Sequence, residues 1–285
     1  MKKRMMALTA VAAAMMLAGS AYAADEILIG AVVNGLFCGN ALGAKDLAIM
    51  GQHAENRFFG KPCGLMDQMA CSVGSFVAID FADPDHPVVE GVPFDFGKTK
   101  HHLVITDTKA DHADLTDEYA SIRREMEAVA GYFGKTCLRE TDENAVLDNV
   151  KVLRETLGER PVLRALHFYN ENRRVDAERA ALAAGDFETF KALTIESGLS
   201  SFTYNQNVYA SSAPASQPVA LALALSESVL KGKGAWRVHG GGFAGTIQAF
   251  VPDELLPAYK ARLEAVFGEG ACYVLEIRPF GGTEV

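Results

Sequence analysis

Residues 60–68 of the chain read Gly60-Lys61-Pro62-Cys63-Gly64-Leu65-Met66-Asp67-Gln68. This segment holds one carboxylate, Asp67, among apolar residues, where a charge is costly unless it has a partner or a task. Its two glycines let the backbone approach a ligand closely and Pro62 fixes the turn, so the segment predicts a rigid loop entering a short helix. Such a loop suits a positioned general base. The alternative interpretation is that Asp67 only caps the helix of residues 68–71.

The composition is that of a globular protein. The chain has 285 residues, 49% hydrophobic and 22% charged, enough for one large or two modest domains with a sizeable core. Its net charge of −9 repels phosphate backbones and anionic lipid surfaces, so nucleic acid is not an expected partner. Five cysteines are spread along the chain without a C-x-x-C pair. That spacing argues against a disulfide framework and a zinc site and favours thiols of a reducing compartment.

The N-terminal residues point to a different compartment. Lys2-Lys3-Arg4 precede an apolar run to about Gly19 and then Ala21-Tyr22-Ala23, a pattern typical of a signal peptide cleaved after Ala23. The apolar run is short and Ala-rich, so we expect no stable membrane span. Residues 1–23 are therefore interpreted as a signal-like segment. Taken alone they predict an exported, periplasmic protein with an unrelated binding role.

The remaining chain is predicted to be mixed α and β. Helical periodicity covers residues 44–58, 114–133, 142–157, 161–184, 186–197 and 214–230. Four glycines are expected to end helices: Gly134, Gly158, Gly185 and Gly198. Asp186 is the expected N-cap of the helix that follows it.

Strands are expected at residues 75–81 and 102–108, with a turn at 83–85. The C-terminal region predicts a strand at 235–238, a loop at 240–242, a strand at 246–251, a helix at 253–267 and a strand at 272–278. This β-β-α-β order resembles half of a ferredoxin-like sandwich.

A glycine run near the C-terminus fits G-x-G-x-x-G at Gly240, Gly242 and Gly245. A dinucleotide site needs a helix after that motif, whereas here a strand pattern follows. A glycine-rich hairpin packed close to a ligand or to another backbone is the better interpretation.

Three further groups could carry chemistry. Residues 107–114 hold three carboxylates and a histidine, which could ligate a metal but are typical of a solvated turn and helix cap, so no metal site is predicted. Tyr119 shares a predicted helix face with the arginines at 123 and 124. The serines at 200–201 and 211–212 lack a G-x-S-x-G elbow, and His167 and His239 have no evident Ser or Cys partner. A hydrolase triad is therefore not predicted.

Several motifs occur in the order found in one family. They are Gln52-His53-Ala54-Glu55-Asn56, the segment 60–68, Asp117-Glu118-Tyr119 with Arg123-Arg124, Arg164-Ala165-Leu166-His167-Phe168 with Glu171-Asn172-Arg173-Arg174, and Val238-His239-Gly240-Gly241-Gly242-Phe243-Ala244-Gly245. Together they resemble galactokinases of the GHMP kinase superfamily from about residue 26 to 285. The resemblance implies an α+β, GHMP kinase-like fold: a truncated N-terminal α/β domain over residues 24–113 and a ferredoxin-like C-terminal α+β domain over residues 114–285.

The resemblance also implies a cytoplasmic sugar phosphotransferase of galactose metabolism, with galactose and ATP as substrates and Mg²⁺ as cofactor. By position, Asp67 matches the catalytic carboxylate that accepts the proton of the sugar's anomeric hydroxyl. Cys63 and Gly64 match backbone contacts to the sugar, and Tyr119 matches a galactose-contacting tyrosine. Gly240, Gly241 and Gly242 match a loop bordering the phosphate region.

Two motifs of that family are not found in the 285 residues. One is an early segment of the type P-G-R-V-N-L-I-G-E-H, and the other is a Ser-rich phosphate loop of the type G-L-S-S-S-A. Phosphoryl transfer depends on positioning and on groups that neutralise charge, so the chain by itself is predicted to be inactive. The alternative is a non-catalytic, galactose-binding or regulatory relative. We also expect the apolar segments 26–36 and 75–81 to lack sheet partners.

Overall fold

A computed structural model describes residues 6–10, 21–59, 64–83, 86–109, 115–243 and 245–282. Parts of five expected features lie outside these ranges. They are residues 1–5 and 11–20 of the signal-like segment, residues 60–63 of the Asp67 segment, which include Cys63, residues 84–85 of the expected turn, residues 110–114 of the acidic cluster, and Ala244 of the glycine run.

Two antiparallel sheets form in the described part of the chain. Their strands are β1 (Met6–Ala10), β2 (Phe76–Asp80), β3 (Val88–Val92), β4 (His101–Asp107), β5 (Ala235–Val238), β6 (Thr246–Pro252) and β7 (Cys272–Leu275). The first sheet has the order β1-β2-β3 and the second has the order β5-β6-β4-β7. The strands expected within 75–81, 102–108, 235–238, 246–251 and 272–278 are all present.

Helices supply the other layers. They are α1 (Ala21–Cys38), α2 (Ala44–Ala54), α3 (Met66–Val73), α4 (Thr116–Tyr132), α5 (Glu143–Asp148), α6 (Val150–Leu157), α7 (Glu159–Ala183), α8 (Phe187–Ser200), α9 (Pro218–Leu230) and α10 (Leu256–Phe267). A π-helical turn, Glu55–Phe59, extends α2 towards the Asp67 segment.

Strand β2 lies between two hydrophobic cores. Side chains alternate across a strand, so Val77 and Ile79 pack with α1, α2 and α3, whereas Phe76 packs with the aromatic residues of α8. All five residues of the strand are buried. The expectation that residues 75–81 lack sheet partners is therefore wrong, because β1 and β3 pair with β2 on its two edges.

One of the two central strands of the second sheet, β4, comes from a part of the chain well before the other three strands. Strand β4 pairs with β6 on one side and with β7 on the other, for example Val104 with Ala249 and Ile105 with Tyr273. Helices α9 and α10 cover one face through Val219, Ala222, Tyr259 and Leu263. Although β4 precedes residue 113, it belongs to the sheet of the C-terminal strands. The division of the chain at residue 113 stays a prediction.

The helix ends test the glycine and capping predictions. Asp186 caps α8 as expected, since its carboxylate accepts the Thr189 N–H at 3.0 Å. Gly134, Gly158 and Gly185 adopt positive φ at helix ends, as expected. Gly198 does not end a helix, because α8 runs on to Ser200. A Cβ at Gly198 would lie 2.9 Å from the Arg237 Cβ, so this glycine lets α8 pack closely on β5.

Two predicted helices have different bounds. The helix expected over 142–157 is divided at Asn149 into α5 and α6, and the Asn149 side chain donates to the Ala145 carbonyl at 2.9 Å. Asparagine competes with the backbone for such hydrogen bonds, which favours a break. The helix expected from residue 214 begins at Pro218, a residue suited to the first helical position.

Helix α1 covers the apolar segment 26–36 and begins before the expected cleavage site after Ala23. Ile27 is buried, whereas Leu36 and Phe37 are 72% and 80% exposed. Within the described ranges, no helix is both long and apolar enough to cross a membrane.

Candidate functional site

Asp67 lies in the first turn of α3, not at its cap. The N-cap position is Leu65, which makes no side-chain capping hydrogen bond, and Asp67 is the second helical residue. The interpretation of Asp67 as an N-cap is therefore wrong. A carboxylate in the first turn still interacts favourably with the helix dipole. Gly64, the expected sugar-contacting glycine, is exposed just before the helix, and Cys63 lies outside the described residues.

Asp67 is half-buried and is followed in α3 by a buried polar residue. The next residue, Gln68, is buried and donates from Nε2 to the Glu55 carboxylate at 2.5 Å, which ties α3 to the π-turn after α2. One helical turn after Asp67, burial raises the pKa of the Cys71 thiol to about 11. The Asp67 carboxylate raises this pKa further and the Arg278 guanidinium opposes it, so both charges act at the same thiol.

Tyr119 packs directly on the glycine loop. From α4, its hydroxyl donates to the Gly242 carbonyl at 3.0 Å, and its ring meets Phe243 edge to face at 5.0 Å. A Cβ at Gly241 would lie 2.6 Å from the Tyr119 Cε1, so only glycine fits beneath the ring. Burial raises the pKa of the Tyr119 phenol, which therefore stays a neutral hydrogen-bond donor.

The loop is held from its other side by Asn207, which the sequence analysis missed. The Phe243 N–H donates to the Asn207 carbonyl at 2.6 Å, and the Asn207 amide donates to the Gly241 carbonyl at 3.2 Å. Gly242 has φ +84°, and a Cβ there would lie 1.9 Å from the Asn207 carbonyl oxygen. This close approach requires glycine. No local signal marks Asn207, because its contact with the loop spans 34 residues.

Arg164 on α7 supports this arrangement, although its motif alone predicted no such role. It is fully buried, donates to the Ser121 hydroxyl on α4 at 2.9 Å and forms an ion pair with Glu125 at 2.9 Å. Its Nε donates to the Asn205 carbonyl at 3.0 Å. Arg164 thus joins α7, the helix that carries Tyr119, and the segment that carries Asn207.

The loop serines and the histidines have structural roles. Glu118 accepts hydrogen bonds from the Ser211 and Ser212 hydroxyls, each at 3.1 Å. His167, expected to have no serine partner, is hydrogen-bonded to the Ser200 hydroxyl at 2.9 Å. Both residues of that pair are buried, and burial lowers the pKa of His167 to about 3. This neutral imidazole is inaccessible to a substrate, so the pair is a packing contact.

Two other groups were expected to carry chemistry. The described part of the acidic cluster is a local pair, Asp107 with the Lys109 ammonium at 2.9 Å. The strand after the glycine run is present as β6, which confirms that the run is not followed by a helix. His239, at the start of the run, is hydrogen-bonded to Gln248 across the β5–β6 hairpin at 2.9 Å.

The site thus consists of two parts. Tyr119 and Gly240–Gly242, which are far apart in the sequence, form one contact between α4 and the β5–β6 connection. Asp67 and Gly64 belong to the other part, on and before α3, which packs with α1, α2 and the first sheet.

Comparisons with known proteins agree with the motif resemblance. Residues 9–75 match the family of GHMP kinases N terminal domains. This match begins inside residues 1–23 and so extends the likeness into the signal-like segment. Over 248 residues the chain is 31% identical to a galactokinase from Glaesserella parasuis serovar 5 (strain SH0165), an alignment that covers 85% of this chain and 60% of that protein.

Solved structures show the same fold. The chain matches Lactococcus lactis galactokinase complexed with galactose with a TM-score of 0.68 and 23% identity, over 93% of this chain and 66% of that one. It matches the L. major mevalonate kinase in complex with R-mevalonate with a TM-score of 0.61 and 14% identity, over 92% and 66%.

The expected α+β, GHMP kinase-like fold is confirmed by these matches. The chain spans about 60% of the length of the curated relative that it matches. In sequence the chain is similar to a galactokinase, and in fold it is similar to solved GHMP kinase structures.

Proposed function

We propose that the site is built for transfer of the ATP γ-phosphate to the anomeric hydroxyl of galactose. The observation that supports this most is the contact of Tyr119 with Gly241 and Gly242. The resemblance assigns these residues to the sugar and to the phosphate region respectively. In phosphoryl transfer the acceptor hydroxyl and the γ-phosphate must lie side by side, and a contact between the proposed sugar-binding tyrosine and the proposed phosphate-region loop supports such an arrangement.

Asp67 is the proposed general base. Its carboxylate accepts the proton of the anomeric hydroxyl while that oxygen bonds to the γ-phosphorus. The bond between the γ-phosphorus and the bridging oxygen breaks, and ADP leaves with both electrons. The first turn of α3 holds the carboxylate on a rigid element, and Cys63, Gly64 and Tyr119 are the proposed sugar contacts.

Mg²⁺ would reach the site with the nucleotide. Magnesium in such sites is bound largely by phosphate oxygens and water, with one or two carboxylates. The described residues contain no group of three or more His, Cys, Asp or Glu that could hold a metal ion.

The 285-residue chain itself is proposed to bind galactose without consuming ATP, because no counterpart of the Ser-rich phosphate loop occurs in its sequence. A galactose-binding or regulatory role is the corresponding alternative function. We place the protein in the cytoplasm, where ATP is available and where the free thiols of Cys38, Cys137 and Cys272 are expected. Recovery of a form cleaved after Ala23 from the periplasm would contradict that placement.

Calorimetric titration with galactose, followed by an assay for galactose-dependent ADP formation, tests the proposal. We expect saturable binding to the wild-type chain and no ADP. Tyr119→Phe keeps the ring but removes the hydroxyl bond to Gly242, so it should weaken binding, whereas Tyr132→Phe on the same helix should not. ADP formation abolished by Asp67→Asn but retained in Asp148→Asn would establish the kinase and refute the inactivity. Absence of binding would refute the sugar site.

A further inference from the structure

Helix α1 keeps an apolar face exposed. Residues four apart on a helix lie one above the other, so this face has two neighbouring rows of side chains. We call them the α1 outer face: Leu28, Val32 and Leu36 form the first row, and Ile29, Val33 and Phe37 form the second. All six are 45% to 80% exposed. Ile27, on the opposite side of the helix, is buried in the core that contains Met69 of α3.

A groove runs beside the first row of the outer face. It is a cavity of about 620 Å³ between α1 and the residues that lead into α2, among them Leu42 and Leu47. None of the described residues that line it is charged. The second row is not part of the lining and stands beside the groove as a ridge. The outer face therefore presents a ridge and a groove side by side.

This arrangement is complementary to itself. In a twofold dimer the same patch is used by both subunits, so the ridge of one copy meets the groove of the other and the reverse contact forms at the same time. Rows of side chains four residues apart interdigitate at a crossing angle of about −50°, the commonest packing of two helices. The two rows of α1 provide such an interface without any change of shape.

The size of the outer face suits a dimer. Its six side chains expose about 650 Å², more than the largest apolar patch of about 300–600 Å² on a typical monomer. Two copies would together cover about 1,300 Å², which lies within the range of about 1,200–2,000 Å² for specific interfaces. Residues of the groove add to this area. The face is thus large enough to hold two copies together.

The charges favour a second copy over other occupants. Residues 27–38 contain no Asp, Glu, Lys or Arg, so two copies can meet along α1 without repulsion between like charges. A charged partner would lose hydration here and gain no ion pair. An anionic lipid surface would be repelled by the net charge of −9 and would find no Lys or Arg on this face.

We propose that the α1 outer face binds the outer face of a second copy of this chain in a twofold dimer. The contact uses the side of α1 that is turned away from the core shared with α3, so it does not involve Asp67. Neither galactose nor ATP enters the contact, and its test is independent of the proposed function.

Sedimentation velocity between about 1 and 200 µM tests the dimer. A reducing agent is present throughout, because Cys38 at the end of α1 is exposed and could otherwise form a disulfide. We expect a reversible monomer–dimer equilibrium for the wild type. Leu36→Glu places a charge in the contact and should raise the dissociation constant at least tenfold. Leu199→Glu on α8 changes a leucine that is 62% exposed and should leave the constant unchanged.

A pair of variants separates a lost contact from a lost fold. Val32 and Val33 lie at the middle of the outer face, where a twofold axis brings the two copies closest. Val32→Lys and Val33→Glu should each be monomeric when alone, with the circular dichroism of the wild type. Mixed in equal amounts, the two variants should form a mixed dimer, because the ammonium of one copy meets the carboxylate of the other.

Several results would overturn the dimer. They are a wild type that stays monomeric up to 200 µM, equal weakening by Leu36→Glu and Leu199→Glu, and no association of the mixed variants. Growth beyond the dimer as concentration rises would contradict a closed twofold contact. Co-flotation of a monomeric wild type with neutral phosphatidylcholine vesicles, lost in Leu36→Glu, would show that the face binds lipid instead.

Discussion

Gly241 allows the Tyr119 ring to pack on the glycine loop because it has no side chain. The Tyr119 ring lies where a Cβ of residue 241 would be, and the same ring carries the hydroxyl that bonds to Gly242. The position of the phenol therefore depends on the absence of a methyl group. Sequence reasoning identified the glycine run but not the ring that requires it, because that contact is tertiary.

Gly241→Ala should displace the Tyr119 ring and weaken its bond to the Gly242 carbonyl. One such hydrogen bond contributes about 1 kcal/mol, so galactose affinity measured by calorimetry should fall by about tenfold or less. Gly131→Ala on α4 is the matched control, since its Cβ would meet nothing within 4 Å. That variant should leave affinity unchanged and stabilise the helix slightly. Unchanged galactose affinity in Gly241→Ala would show that the position of the Tyr119 ring does not affect sugar binding.

Arg164→Met should destabilise the protein, because it removes a buried cation that is an ion-pair and hydrogen-bond partner of three residues. Glu125 keeps Arg160, but the Ser121 hydroxyl and the Asn205 carbonyl lose a donor. Breaking such a buried pair costs about 3 kcal/mol, which urea unfolding would measure. Arg123→Met breaks the exposed pair with Glu127 and should cost less than about 1 kcal/mol. Equal losses in the two variants would contradict a supporting role for Arg164.

Among the elements, α7, α8 and β5 share a cluster of charged groups behind the glycine loop. Arg237 on β5 donates to the Ser197 hydroxyl on α8 at 2.5 Å, and that hydroxyl donates to the Glu171 carboxylate on α7 at 2.6 Å. Arg174 pairs with Glu171 as well. Because Arg237 lies two residues before His239, this cluster anchors the strand from which the loop begins.

Glu178, also on α7, makes the free energy of unfolding of the protein depend on pH. Burial raises its pKa to about 7, although Arg237 and Arg174 oppose the shift. Below about pH 4.5 the Glu178 carboxyl is protonated in both the folded and the unfolded protein. As pH rises towards 7, the carboxyl loses its proton in the unfolded protein but keeps it in the folded one, so the free energy of unfolding falls. By pH 8 the free energy of unfolding should be about 3 kcal/mol lower than it would be with an unshifted carboxyl.

Glu178→Gln should remove this loss, so its unfolding free energy should exceed that of the wild type increasingly between pH 5 and pH 8. The two proteins should be compared at each pH, because His167 also makes stability depend on pH. The lowered pKa of His167 makes the free energy of unfolding fall as pH falls below about 6.5, in both proteins alike. A difference that does not change with pH would show that Glu178 does not titrate in this range.

Elements predicted from local signals agree best with the structure. Asp186 caps α8 because a cap needs only residues within one turn. Partners that are distant in the sequence could not be predicted, so β2 was expected to lack the strands that pair with it. Gly198 carries a helix-stop signal, yet its contact with Arg237 decides its role. Asn207 and Arg164 act through contacts that no local pattern encodes.

On the scale of the whole molecule, the proposed function requires that two parts of the structure form one site. Asp67 lies on α3, packed with the first sheet, whereas Tyr119 and Gly240–Gly242 lie beside the second sheet. Strand β2 connects these layers, since it contributes to the cores on both sides. The site roles of these residues come from the family resemblance, and the structure adds the contacts that would position them.

A galactose titration followed by NMR of backbone amides tests this account most directly. The account predicts that galactose shifts the amides of Asp67, Tyr119 and Gly240–Gly242 with one common dissociation constant. Amides of α10, such as that of Arg262, should stay unchanged. Shifts confined to one of the two parts, or no saturable shift at either, would contradict a single galactose site that joins Asp67 to Tyr119.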